Sequence, residues 1–402
     1  MKRILFFLYV FSLLLYSCVQ NVTEVEKPIR PLNEVETRLI SNSNDFAFKL
    51  FKEVNKENTG KNLFISPFSV SIALSMTLNG ARGETFEEMQ STLSFENLTM
   101  EEINSAFKEL FPMLRELDKN VQMDVANSIW CRKDVLFVTE FLETLRNYYD
   151  AKSETLDFTS PEAAKIINKW VEEKTKGKIK NMLESIPDYA VMYIINALYF
   201  KGVWKYPFDK SKTRDGDFAI SENNFVKAKF MFQVRDFDCY FGDEFSALRL
   251  PYSKGNFSMM VILPKSEFHI NDFVANFNRS KWETCLSNLR KTEEVTVYMP
   301  KFKIEFETSL KKVLTSLGMK LAFTDEADFS NLCRVLRCQI TEVKHKTFVE
   351  VDEEGTEAAA ATSVEIGYTA YKPAFYLNRP FVFVIYEKQT GAILFMGKLV
   401  NP

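Results

Sequence analysis

Histidine is nearly missing: 402 residues hold only His269 and His345. Hydrolytic chemistry loses its commonest base, and metal ions lose their commonest ligand. No serine sits in a Gly-x-Ser-x-Gly elbow, no histidine pair stands at helical spacing, and no phosphate-binding glycine loop or dinucleotide fingerprint occurs. No carboxylate pair stands out either. An enzyme is not expected, nor a cofactor or metal. A concentrated basic face is also lacking. With 51 basic residues against 54 acidic ones and no run of five like charges, the chain is a poor match for nucleic acid. From Asn44 onward there is no Pro/Gly/Ser-rich linker and no repeat. One large domain is therefore expected, although length alone would allow two or three.

What is present begins with a leader. Lys2 and Arg3 precede a 13-residue apolar run, Ile4 to Tyr16, too short to span a membrane as a helix. Residues 1–17 read as a secretory signal. The run ends Leu15-Tyr16-Ser17-Cys18, which resembles a bacterial lipobox, so Cys18 is the expected lipidated first residue of the mature chain. Tyr16 is bulkier than that pattern prefers, and an ordinary signal cut nearby is the alternative. Residues 18–40 are polar, carry two prolines and lack strand or helix periodicity; they read as a tether. The expected location is across the inner membrane, anchored in the periplasm or at the cell surface, or extracellular if no lipid is attached.

Five cysteines follow Cys18: Cys131, Cys239, Cys285, Cys333 and Cys338. An odd number at irregular spacing is no disulfide framework. Cys333 and Cys338 have no histidine near enough to complete a metal site, so all five read as small core residues, with one incidental bridge at most.

A hydrophobic share of 46% against 26% charged residues excludes a disordered chain, and 37 phenylalanines point to a large core rather than a stacking surface. The first half reads mainly as helix. Phe46, Leu50 and Val54 share one helical face; Lys61 to Asn79 starts extended, turns at Pro67 and continues as an apolar helix. Met100 to Leu117 and Pro161 to Lys176 are amphipathic and led by Thr99 and by Ser160-Pro161. The second half reads mainly as strand: Met192 to Trp204, Val226 to Phe232, Ser258 to Leu263, Val295 to Phe306 and Gln339 to Val351. Phe381 to Tyr386 and Ala392 to Val400 flank a hairpin turn at Glu387-Lys388-Gln389-Thr390-Gly391. The class is α+β with a large, mostly antiparallel sheet system late in the chain.

One segment is physically odd. Glu353-Glu354-Gly355-Thr356-Glu357-Ala358-Ala359-Ala360-Ala361-Thr362 follows a strand, and its four alanines favour helix. Yet Thr356 to Tyr368 also alternates. One face reads Thr356, Ala358, Ala360, Thr362, Val364, Ile366 and Tyr368, without a charge; the other holds Glu357 and Glu365. Such a segment could enter a sheet and bury one face cleanly. A helical or irregular surface loop accounts for the composition equally well.

Here the chain resembles the serpin family, from about Asn44 to its end. Glu353 to Thr362 is similar to the family's hinge. Asn62-Leu63-Phe64-Ile65-Ser66-Pro67-Phe68-Ser69 resembles the start of its second helix, with Ser66 and Ser69 beneath an opening sheet. Asn196-Ala197-Leu198-Tyr199-Phe200-Lys201-Gly202-Val203-Trp204 resembles the central strand that ends at the insertion point. Asn378-Arg379-Pro380-Phe381 and Phe395-Met396-Gly397-Lys398-Leu399-Val400-Asn401-Pro402 look like the C-terminal strands.

The resemblance implies a single domain over residues 41–402, with about nine helices around three sheets and an exposed reactive-centre loop at about 353–375. It implies a monomeric suicide-substrate inhibitor of serine or cysteine proteases. The loop is bait, and after cleavage it inserts as a new strand and drags the acyl-linked protease with it. The hinge is Glu353, Gly355, Thr356, Ala358 and Ala360. Counting along it places the scissile bond between Thr369 and Ala370, flanked by Gly367, Tyr368 and Tyr371. Small, uncharged Thr369 suits elastase-like or subtilisin-like targets; Tyr368 or Tyr371 would serve a chymotrypsin-like enzyme if the register slips. No Lys or Arg lies between Gly355 and Tyr371, which disfavours trypsin-like targets. The family pattern also pairs Glu353 with Lys301 near Trp204, and joins His345 to Asn196 and the Ser66 region. A non-inhibitory binding protein of the same fold, or a surface adhesin, are the alternatives.

Overall fold

The computed structural model describes residues 28–267, 269–334, 338–355 and 373–402. Cys18, Thr356, Ala358, Ala360 and the segment Gly367 to Tyr371 lie outside those residues. Among the described residues are nine α-helices and fourteen strands. The first half runs α1 (Glu34–Glu57), β1 (Leu63–Ile65), α2 (Pro67–Leu78), α3 (Gly83–Thr92), α4 (Met100–Glu116), β2 (Val121–Arg132), α5 (Thr139–Tyr149), β3 (Lys152–Leu156), α6 (Glu162–Lys174) and β4 (Met192–Gly202). Then come β5 (Arg214–Ser221), β6 (Asn224–Phe241), β7 (Phe245–Pro251), β8 (Phe257–Pro264), α7 (Ile270–Asn276), α8 (Arg279–Ser287) and β9 (Arg290–Pro300). The chain ends with β10 (Phe302–Ser309), α9 (Lys311–Ser316), β11 (Ile340–Val351), β12 (Ala374–Tyr376), β13 (Phe381–Glu387) and β14 (Ile393–Leu399).

Three differences from the sequence reading have local causes. The polar stretch taken as a tether to residue 40 becomes helix at Glu34. Asn33 and Glu36 close a capping box, and Leu39 and Ile40 are already core. The run Val295 to Phe306 is two strands, not one. It crosses between sheets at Lys301, whose N–H donates to the Lys229 carbonyl while Phe302 begins pairing with Val351. The nominally helical first half also contributes β2 and β3.

Hydrogen bonding gathers the strands into two sheets among the described residues. The nine-stranded sheet has the order β1-β14-β13-β8-β7-β6-β9-β12, with β5 also on β6. The long strand β6, with its register shift between Arg235 and Phe237, belongs to two arms of that sheet, which a count of three sheets separates. The five-stranded sheet has the order β10-β11-β4-β2-β3. Its centre is a parallel seam, β11 against β4, flanked by the antiparallel pairs β10–β11 and β4–β2.

This smaller sheet is buried on both faces. Met192, Ile194, Leu198 and Phe200 of β4 point into the main core, and Tyr193, Ile195, Ala197 and Tyr199 into a second cluster with Ile167 and Val171 of α6. On the main-core side lies α2, every residue of which is buried; Ser66 caps it and Pro67 opens its first turn. The five cysteines from Cys131 onward are buried thiols.

Candidate functional site

Two clusters lie on the parallel seam. The first is at mid-strand, where the register sets His345 of β11 beside Asn196 of β4, and Asn196 beside Asn127 of β2. The Ser66 N–H donates to His345 Nε2 at 3.1 Å, so the proton sits on Nδ1, which donates to Asn196 Oδ1 at 2.5 Å. The Asn196 amide in turn donates to Ser69 Oγ at 2.7 Å and to Asn127 Oδ1. Ser66 Oγ donates to the Leu394 carbonyl of β14 at 2.8 Å. Side chains from three strands and α2 thus form one polar row under the sheet, and its His345–Asn196 bond bridges the seam. Any strand entering there must break that bond.

Burial holds the His345 imidazole neutral, with its pKa pushed down to about 3. The sign follows. A folded pKa below the free value near 6.5 gives stability that is complete above pH 6.5 and is lost as pH falls toward 3. Between pH 7 and pH 5 the loss should be about 2 kcal/mol. The thermal midpoint should fall over that range, and His345→Gln should flatten the profile. A slope unchanged in the variant would assign the effect to another group.

The second cluster closes the top of the seam. Glu353 is buried and accepts from Lys301 Nζ at 2.7 Å and Thr213 Oγ1 at 2.7 Å. Burial alone would raise its pKa, but these two donors outweigh it and hold the carboxyl below the usual carboxylate range. Lys210 pairs with Glu354. Trp204, buried and stacked on Tyr252 at 4.5 Å between centroids, donates its indole N–H to the Asp352 carbonyl at 3.0 Å. Its backbone N–H donates to the Glu354 carbonyl at 3.0 Å.

Gly355 then forms an antiparallel bridge with Val203, the residue just past β4. Its φ of +121° favours glycine, and a Cβ would meet the Gly202 carbonyl oxygen and the Trp204 nitrogen at 2.4 Å. The hinge therefore leaves β11 already laid across the end of β4.

The structure thus brings Ser66, Ser69, Asn196 and His345 into one group, and Trp204, Lys301, Glu353 and Gly355 into another. Sequence reasoning missed Asn127, Thr213, Lys210 and Tyr252. Their partners lie tens to more than a hundred residues away, and no local pattern marks them.

The family model described as Serpin (serine protease inhibitor) matches residues 41–402. The chain is a serpin. The leukocyte elastase inhibitor of Sus scrofa is 35% identical over 373 residues, covering 89% of this chain and 97% of that protein. The alpha-1-antiproteinase of Rattus norvegicus is 32% identical, covering 91% and 89%. Among solved structures, native Tengpin, a thermophilic serpin, superposes with a TM-score of 0.82 at 32% identity, covering 93% of this serpin and 96% of Tengpin. Human thyroxine-binding globulin superposes with a TM-score of 0.85 at 31% identity, covering 92% and 99%. The elastase inhibitor and the antiproteinase are both named as protease inhibitors, and the family they share with this serpin is one of inhibitors rather than enzymes. The globulin, named for the hormone it binds, shows that the fold also serves binding.

Proposed function

We propose that this serpin is an inhibitory one, a suicide substrate that traps serine proteases with shallow apolar primary pockets, elastase-like or subtilisin-like. The observation that carries the reading is the parallel seam with the hinge docked across its open end. A chain turning back at Gly355 runs antiparallel to both β4 and β11, so one inserted strand replaces a parallel ladder by two antiparallel ones. The Val203–Gly355 bridge also sets a register in which residue numbers on the two strands sum to 558. Continued down β4 in an inserted strand, it would set Thr356 opposite Gly202, Ala358 opposite Phe200, Ala360 opposite Leu198, Thr362 opposite Asn196 and Val364 opposite Ile194. Directly paired side chains share a face. The uncharged face of the segment would therefore fall on the main-core side of β4, and Thr362 would reach the polar row that His345 would leave.

In the trapping step, the protease's serine oxygen attacks the Thr369 carbonyl carbon. The Thr369–Ala370 bond breaks, the new amine of Ala370 takes the serine's proton by way of the protease's base, and Thr369 is left as an ester on the enzyme. Water would complete hydrolysis, and insertion competes with it. About a dozen new backbone hydrogen bonds at roughly 0.5–1.5 kcal/mol net each, with one buried face, amount to on the order of 10–20 kcal/mol. Displacing one oxyanion-hole donor slows deacylation about 100- to 1000-fold, which needs only a fraction of that.

Incubation with an elastase-like protease should give a band stable to denaturing electrophoresis and larger than either protein, and a released peptide beginning at Ala370. A peptide beginning after Thr362 or Glu365 would move the bond. Quantitative cleavage without the larger band would make the protein a substrate only and favour a non-inhibitory role.

A further inference from the structure

The lower end of the seam, away from the hinge, gathers three thiols. Cys131 is the penultimate residue of β2, Cys338 stands two residues before β11, and Cys333 lies between α9 and β11. All three are buried, and Cys338 Sγ donates to Cys333 Sγ at 2.7 Å. Burial raises the Cys131 thiol pKa first, and the neighbouring Cys338 and Cys333 raise it further. A disulfide holds its sulfurs about 2.05 Å apart, so less than about 1 Å separates the Cys333–Cys338 contact from a bond.

These two cysteines stand on opposite banks of the seam. Cys333 forms an antiparallel bridge with Phe137, and the Val138 N–H donates to the Leu332 carbonyl at 2.7 Å. Those partners follow on from β2, whose Arg132 N–H donates to the carbonyl of Val191, just before β4, at 2.9 Å. Cys338 instead runs directly into β11. At this level the Val191 N–H donates across the seam to Thr341 Oγ1 at 2.9 Å. A strand entering between β4 and β11 moves them apart by one strand spacing, about 4.8 Å. The five residue steps from Cys333 to Cys338 can reach about 17 Å when extended, which is ample slack. A disulfide holds the two Cα atoms within about 7 Å and leaves far less than that widening.

We infer that Cys333 and Cys338 are a redox pair whose disulfide staples the lower end of the seam. The staple stands on the contacts above; its effect on trapping rests on the inhibitory reading. The oxidant is a small-molecule disulfide of the glutathione class. One cysteine, as thiolate, attacks a sulfur of oxidised glutathione and expels half of it; the second cysteine then displaces the other half. Two protein thiols give up two electrons and two protons, which one oxidised glutathione takes to become two thiols. Burial slows this attack in the folded molecule, so the bond forms as the chain folds. In the sequence Arg334 follows Cys333 and Arg337 precedes Cys338, and neighbouring cations favour the attacking thiolate.

The test folds the full chain in oxidised or in reduced glutathione, blocks free thiols and digests with trypsin. Cleavage after Arg334 and Arg337 separates the two cysteines, so the bridge should appear as a cross-linked pair of peptides in the oxidised form only. Hydrogen exchange at Ile340–Val343 should be about tenfold slower in that form, while Phe348–Val351 near the hinge stays within about twofold. With an elastase-like protease its stoichiometry of inhibition should rise about threefold or more, because insertion loses ground to hydrolysis. Cys338→Ala should behave as the reduced form in both buffers. A cross-link to Cys131 instead, or none, would overturn the pair. A bridge with unchanged exchange would overturn the staple, and a bridge with unchanged stoichiometry would overturn its effect on trapping. Slowed exchange with no covalent protease complex in either form would remove the inhibitory reading and leave the staple standing.

Discussion

Thr356→Arg should convert the inhibitor into a substrate. On the insertion reading, with the register of the Val203–Gly355 bridge, Thr356 would be the first residue to pass into the sheet, opposite Gly202 and on the face that Phe200 and Leu198 line. Gly202 is itself packed against the Tyr252 ring, so the position has no outlet to water. An unpaired guanidinium there costs several kcal/mol, and each 1.4 kcal/mol on the insertion barrier shifts the race against hydrolysis tenfold. Cleavage at the bait should proceed at the parent rate, while the stoichiometry of inhibition rises at least tenfold and the covalent band fades. Titration of a fixed amount of elastase measures both. A variant that still trapped enzyme at the parent's stoichiometry would show that insertion begins elsewhere.

Glu353→Lys should open the sheet without any protease. The carboxylate is buried, and its two oxygens hold Lys301 and Thr213 at 2.7 Å. Replacing it by an ammonium sets two like charges together at the top of the seam, and breaking a buried pair in this way costs about 3–5 kcal/mol. The thermal midpoint should fall by on the order of 5–10 °C. On mild heating, native electrophoresis should show polymers, because an open seam is an unpaired edge that another chain can fill. The charge-reversed pair Glu353→Lys/Lys301→Glu should recover most of the loss. A single variant that stayed monomeric with the parent's midpoint would mean that the pair does not hold the seam.

Much of this architecture was legible along the chain because its signals are local. Thr99 with Glu102 announces α4, Ser66-Pro67 announces α2, and the apolar run of β4 announces a strand buried on both faces. The start of α1 could have been found by the same rule: Asn33 and Glu36 are spaced as a capping box, although the prolines before them suggest a tether. Other features carried no local signal. β2 mixes Asp124, Asn127 and Ser128 among its apolar residues because Asn127 joins the polar row, Asp124 pairs with Lys176 and Ser128 accepts from the Trp130 indole, so its alternation is imperfect. The break at Lys301 interrupts an unbroken strand-like composition, and only the presence of two sheets to join explains it. The bridge between Val203 and Gly355 needs the fold before it can be seen at all.

The parallel seam also governs the order in which the molecule must be assembled. β2, β3 and β4 are complete once Gly202 has been made, whereas β11 follows only after Val203 to Gln339. Chains grow from the N-terminus, so one bank of the seam stands ready long before the other exists, its edge amides and carbonyls unpaired. When β11 arrives, the segment able to take its place beside β4 follows it by only a few residues. That rival would give the stronger, antiparallel ladder. If the loop inserts as proposed, the waiting form persists as a kinetic product. How promptly β11 docks, and not the depth of the final well, decides which strand stands next to β4.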